Sequence, residues 1–304
     1  MNTGYRPISR RSWLMGALAV SALGAWRPDH PELDKIRAKG RQAGMEGFDE
    51  SESTHYLGIG DSPRRFREEA LGVCEAVLTD YRKSFTEKGF KLTEPKGKLV
   101  VVILNGPKSY AMFEGGFVDD VVGGHFDLKD NHLVMFNFKG IGANPKAPVA
   151  EEDNTLVLVH EAIHQLTFNT GILALEADVP LCVAEGFATY GETWRPRKKG
   201  QIGTLNRRRI KGLTDSLQEG QKWIPLATLL AEDQLLNEAK TEQIAYAESW
   251  MFINKMLKDP AKRSQFRNYL DALRNHPEPG KRIEIATTHL GDLEKLDREI
   301  RSSR

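Results

Sequence analysis

The chain reads as an α+β protein, a small α/β lobe followed by a mostly helical half, and three observations predict this. A nearly continuous β-branched run at 98–104 (Lys-Leu-Val-Val-Val-Ile-Leu) and an alternating stretch at 123–138 both fall in the first half. Beyond Pro148, apolar residues recur at intervals of three and four in segments near 153–169, 181–193, 205–216, 225–236, 239–257, 261–274 and 291–303. No internal repeat or low-complexity tract points to a solenoid or a disordered array. With 304 residues, 40% of them hydrophobic, the chain can bury one sizeable core, or two small lobes flanking a cleft.

Taken in order, residues 1–25 have the anatomy of a signal peptide. Ser-Arg-Arg-Ser-Trp-Leu-Met at 9–15 leads into an apolar run at 16–24 that is too short to span a bilayer. The paired Arg10 and Arg11 resemble a twin-arginine export signal, with cleavage expected after Gly24 or Ala25. The expectation is an exported protein, periplasmic or extracellular, with no stable membrane anchor once the signal is removed. Residues 26–53 read as a linker or short helix, and 54–304 as the main domain, with its α/β lobe at 54–148 and its helical lobe at 149–304.

Within that domain, His55-Tyr-Leu-Gly-Ile suits a first strand. A long helix follows over 63–88, its buried face carried by Phe66, Ala70, Val73, Cys74, Val77, Leu78 and Tyr81. The run at 98–104 suits an interior strand covered on both sides and ended by Asn105-Gly-Pro. A hairpin turning at Asp130-Asn131 should follow, its second strand covering 132–138.

Charge and cysteine content narrow the function classes. Lys+Arg at 43 against Asp+Glu at 42 offers no overall basis for binding nucleic acid. Basic clusters at 195–199 and 207–211 read as a solvated loop, or as a contact for an anionic polymer or acidic substrate. The two cysteines, Cys74 and Cys182, exclude a disulfide scaffold and a four-cysteine zinc site. Any metal must be held by histidines and carboxylates.

His160-Glu161-Ala-Ile-His164 lies inside the apolar helical segment that Gly171 is placed to end. At about 100° per residue, His160 and His164 sit about 40° apart and one turn along the axis, so both imidazoles can reach one ion. Glu161 flanks that face, where its carboxylate can address water as a general base. A catalytic zinc takes neutral imidazoles and keeps one position open, but two protein ligands are too few.

These residues, with Asn169-Thr-Gly171, the stretch Pro180-Leu-Cys-Val-Ala-Glu-Gly-Phe-Ala-Thr-Tyr190 and Tyr246-Ala-Glu-Ser-Trp250, resemble the peptidase MA-like gluzincins and, within them, the DUF1570 proteins. The resemblance implies a zincin-type active-site helix beneath a β-hairpin, Zn2+ held by His160, His164 and Glu185, Glu161 as base, and a peptide or protein substrate. It also implies that the strand above the metal helix, here 132–138, pairs with extended substrate. Gly186 beside Glu185 would let two helices approach closely, and Glu192, two turns on, could orient a ligand imidazole or lie solvated at the helix end. Tyr246, and after it Tyr190, are candidate donors to the oxyanion. His125 and His132 either face the cleft or are solvent-exposed strand histidines. A non-catalytic binding module on the same fold is the rival reading, and Glu161 separates the two, because pure binding needs no general base.

Overall fold

The β-branched run at the centre of the first half is also the centre of the sheet. In the computed structural model, which describes residues 31–116, 123–137, 148–196, 198, 201–276 and 278–302 (148–153 as backbone only), five strands occur: β1 (Asp49–Glu52), β2 (Tyr56–Gly60), β3 (Leu99–Leu104), β4 (Gly124–Asp127) and β5 (His132–Phe136). The signal segment lies outside these residues. Strand order is β1-β2-β3-β5-β4, with β2, β3 and β5 mutually parallel and the two flanking strands antiparallel to their neighbours.

Among the described residues eleven helices accompany the sheet: α1 (Pro31–Gln42), α2 (Arg64–Glu87), α3 (Pro107–Glu114), α4 (Pro148–Asn169), α5 (Leu181–Gly191), α6 (Arg207–Gln218), α7 (Leu226–Ala231), α8 (Glu242–Lys258), α9 (Pro260–Arg274), α10 (Arg282–Leu290) and α11 (Leu293–Ser302). The fold is α+β as expected, with the sheet in the N-terminal half and helices dominating the rest. No helix among the described residues is long and apolar enough to cross a membrane.

All six residues of β3 are buried, because its alternate side chains serve two cores. Leu99, Val101 and Ile103 join the large core with α2 and α4, while Val100, Val102 and Leu104 join a smaller one with α1 and α3. Each such side chain contributes on the order of 1.5–3 kcal/mol by leaving water. The large core continues through α5, α8 and α9, so sheet and helical half share one apolar interior.

Two contacts set α4 against the sheet. Gln165 Nε2 donates to the Val100 carbonyl at 2.9 Å, and Asn131 in the β4–β5 turn exchanges hydrogen bonds with Asn169 at the end of α4. Asn131 itself adopts φ 51°, a left-handed conformation that Asn tolerates in a tight turn. Gly171, at φ 82°, ends α4 as the sequence suggests.

Several elements differ from expectation. Residues 225–236 are not one helix: the chain becomes extended at Glu232 and resumes as a short 3-10 turn over Asp233–Leu236. The break brings the Asp233 carboxylate to the Leu181 N–H at the start of α5, 2.7 Å away, where Pro180 offers no capping side chain. The 26–53 stretch contains both α1 and β1, and α3 and α10 were not anticipated. Each is short, and α3 begins inside the Asn105-Gly-Pro signal, with Pro107 in its first turn.

The substrate-pairing role expected of 132–138 also needs correction. β5 is hydrogen-bonded on one side to β3 and on the other to β4, so it has no ladder left for another strand. The outer strand beside α4 is β4, and among the described residues it pairs only with β5. Phe138 lies outside the described residues.

Candidate metal centre

α4 carries His160 and His164 one turn apart, with ring centroids 5.0 Å from each other. α5 crosses α4 tightly because glycines line its contacts. A Cβ at Gly191 would lie 2.4 Å from Ile163 Cγ1 on α4, and one at Gly186 would lie 2.7 Å from the Ser249 carbonyl oxygen on α8. The close approach expected of Gly186 is therefore made to α8, and α5 as a whole is sandwiched.

That packing puts Glu185 onto both imidazoles. Its Oε2 lies 3.1 Å from His160 Nε2 and 3.3 Å from His164 Nε2, and among the described residues these three side chains alone form a His/carboxylate group able to hold a metal ion. His160 is 2% exposed, while His164 and Glu185 keep 7% and 9%, so any approach to the group comes from the His164 and Glu185 side.

On the far side of His160, Nδ1 meets Glu192 Oε1 at 2.9 Å. Glu192 is 2% exposed, so it is no solvated helix-end acid. Arg209 Nε donates to its Oε2 at 2.9 Å, a second guanidinium nitrogen contacts Oε1, and Asn206 Nδ2 donates to Oε2 at 2.9 Å. Burial alone would lower the His160 pKa, but hydrogen bonds to Glu185 and Glu192 outweigh it and raise it to about 10. Burial pushes the two carboxyls up; Glu185 is nonetheless held well below the usual carboxylate range by His164 and His160, and Glu192 by Arg209 and His160.

Glu161 is 5% exposed and acts electrostatically on His160. Tyr246 of α8 is buried, with its ring centroid 6.5 Å from that of His160 and 4.9 Å from the Arg209 guanidinium. Tyr190 is not brought to the group. It lies about 140° round α5 from Glu185, and its ring packs near Phe85 and Lys88 with the hydroxyl against Gly203. Burial there pushes its pKa up to about 12.

Of the strand histidines, His132 is buried and fits neither reading, while His125 is half-buried rather than solvent-exposed and bonds a Tyr110 that feels the Glu161 charge. His125 pairs with Val134 and His132 with Val100, which places both on the sheet face away from α4. His125 Nδ1 meets the Tyr110 hydroxyl at 2.6 Å, and His132 is buried with Nδ1 3.3 Å from Glu32. Cys74 and Cys182 are buried and unbridged, and burial pushes both thiols up, away from the thiolate that would compete for a metal.

The basic stretch at 207–211 supplies a residue of this cluster that its charge pattern does not single out. It begins α6, and Arg209 is turned inward onto Glu192 rather than out toward a solvated loop or a polymer. Arg195 is likewise committed, donating to the Glu192 and Trp194 carbonyls, while Arg197 and Lys199 lie outside the described residues. The only sequence signal was Asn206 three residues before Arg209, a helix-start pattern; its side chain accepts from the Arg209 N–H at 3.2 Å.

No curated protein matches this chain. Residues 154–277, which carry His160, His164, Glu185, Glu192, Arg209 and Tyr246, match the model of the family described as protein of unknown function (DUF1570).

Proposed function

We propose that this protein is an exported zinc-dependent hydrolase that cleaves an amide bond, a peptidase acting on peptide or protein outside the cytoplasm. One observation carries the reading. His160 meets Glu192 through Nδ1 at 2.9 Å and Glu185 Oε2 through Nε2 at 3.1 Å; its raised pKa puts a proton on both nitrogens, and a bound metal ion would take the place of the one on Nε2. His164 Nε2 converges on the same carboxylate oxygen at 3.3 Å. Donors placed tetrahedrally around zinc at about 2.0–2.1 Å lie about 3.3 Å apart, which these spacings fit. With neutral imidazoles, the buried Glu161, Glu185 and Glu192 against Arg209 leave a formal charge of −2, which a divalent cation balances.

When bound, zinc would supply a Lewis acid that lowers the pKa of a water toward neutrality and polarises the scissile carbonyl. Glu161, on the flank of the histidine face, takes the proton of the attacking water and passes it to the leaving amine. Tyr246, rather than Tyr190, is our candidate donor to the developing oxyanion, a choice supported by its ring lying 6.5 Å from that of His160. An extended substrate would add to the sheet along the outer edge of β4 rather than at β5. Export rests on the pattern at 9–24, and the N-terminus of the mature protein, expected at Ala25 or Trp26, checks it.

The test is metal content and peptide-library digestion, with wild type and Glu161→Gln side by side. The wild type should carry about one zinc per chain. The variant should keep the metal and lose turnover. A metal-free wild type removes the reading, and turnover by the variant removes the mechanism.

A further inference from the structure

Nothing in the zinc chemistry itself requires α6, yet α6 sends its one inward arginine to the back of a ligand. Glu192 is the C-cap residue of α5, where no further helical turn packs beside its side chain. A carboxylate there would swing if only one imidazole N–H held it. Arg209 removes that freedom by engaging both carboxylate oxygens, and a two-point fork fixes the plane of the group as well as its position. Asn206 adds a third bond, and its amide also donates to the Thr189 carbonyl at 3.0 Å, tying the start of α6 to the body of α5. The other face of the guanidinium lies 4.9 Å from the Tyr246 ring centroid, within cation–π range.

We propose that Arg209 is a positioning residue of the metal centre: it locks the Glu192 carboxylate so that His160 presents Nε2, in one tautomer and ring orientation, to the metal, and it seats the Tyr246 ring beside it. This rests on the metal reading above. Its consequence is that metal affinity depends on where α6 docks, and not only on the three ligands.

The test is a double-mutant cycle on purified full-length protein, with Zn2+ affinity read by chelator competition and the visible absorption of the Co2+-loaded protein as a geometric signature. Arg209→Met and Glu192→Gln should each weaken Zn2+ binding by roughly 10- to 100-fold, the range for residues that orient a metal-binding histidine. Because Arg209 acts through Glu192, the double variant should bind within about twofold of the weaker single one, and both single variants should shift the Co2+ spectrum alike. Arg209→Lys, which keeps the charge and loses the fork, should fall in between. If Arg209→Met does not fold, the Lys variant carries the cycle in its place. Wild-type affinity in the Arg209 variants, or losses that multiply in the double variant, would overturn the proposal alone. A wild type that binds no zinc overturns the metal reading and this proposal with it.

Discussion

The two ends of α5 hold the same kinds of groups and use them differently. At the N-terminal end, Arg282 donates to both oxygens of Asp178 and both of Asp233, and Asp233 also accepts the Leu181 N–H. Every strong acceptor there has a permanent cation or a backbone donor, and the ligand atoms are spent. Further along, Glu192 at the C-cap is saturated in the same way by Arg209 and Asn206, but Glu185, in the body of the helix, is aimed at imidazole nitrogens. An imidazole nitrogen supplies positive charge only by taking a proton, as His160 does with its raised pKa, and a metal ion could take that proton's place. The difference teaches that a buried carboxylate reads as structural when its partners are guanidinium and backbone N–H, and as a candidate ligand when they are imidazoles whose proton a metal ion can replace.

Variants at the two ends should separate accordingly. The largest effect is expected from Glu185→Ala, which removes a ligand and should cost more than the roughly 100-fold upper range seen for orienting residues. In the wild type, zinc at about 100 times its Kd should stabilise by about 2.7 kcal/mol, and Glu185→Ala should abolish that rise in Tm. An undiminished rise would mean that the third ligand is another residue. Arg282→Met should do the reverse. Leaving Asp178 and Asp233 unpaired should lower basal stability by about 3 kcal/mol while the zinc-induced rise persists, and a zinc response lost in folded Arg282→Met would erase the contrast between the two ends.

Gly186→Ala probes the helix crossing that joins them. Its Cβ would meet the Ser249 carbonyl oxygen at 2.7 Å and Ile253 Cγ1 at 2.4 Å, so α5 must shift off α8 at a cost of about 1–3 kcal/mol. Denaturant midpoints should show that loss, and zinc affinity should fall with it because Glu185 moves too; a stable variant with intact affinity would show that the crossing does not set the ligand. An effect confined to the pH dependence is expected at Glu248, a buried carboxyl on α8 away from the histidines. Burial raises its pKa to about 8, against the N–H of Ile224 and the more distant Arg301 that lower it. A folded pKa above the unfolded one makes this contribution to stability full below about pH 4.5, with loss as pH rises through 8. Thermal melts at pH 5 and pH 9 should show that Glu248→Gln flattens this part of the pH dependence, worth on the order of 2–4 °C per kcal/mol; an unchanged slope would place the titration elsewhere.

Much of the fold was legible because it is local. The two-sided burial of β3 follows from its unbroken apolar run, and the helices carrying His160 and Tyr246 follow from apolar recurrence at three and four. Short elements were lost where turn signals overlap them, as at Pro107, or where polarity hides a strand, as in Asp49–Glu52. Placement across elements was less legible. A single register relation sends His125 and His132 to the face away from α4, and the alternation of a strand cannot say which of its faces that is.

What the sequence determined by itself is the pairing of His160 with His164 and the flanking place of Glu161, because helix geometry over five residues needs no other part of the chain. The same periodicity aligned Glu185 with Glu192 on α5 and set Tyr190 well round from them. Only the tertiary structure decided that Glu185 meets both imidazoles, that β4 rather than β5 is the outer strand, and that Arg209 turns inward to Glu192. Those contacts join elements separated by loops, and a loop leaves the orientation of the next helix open until packing selects one face.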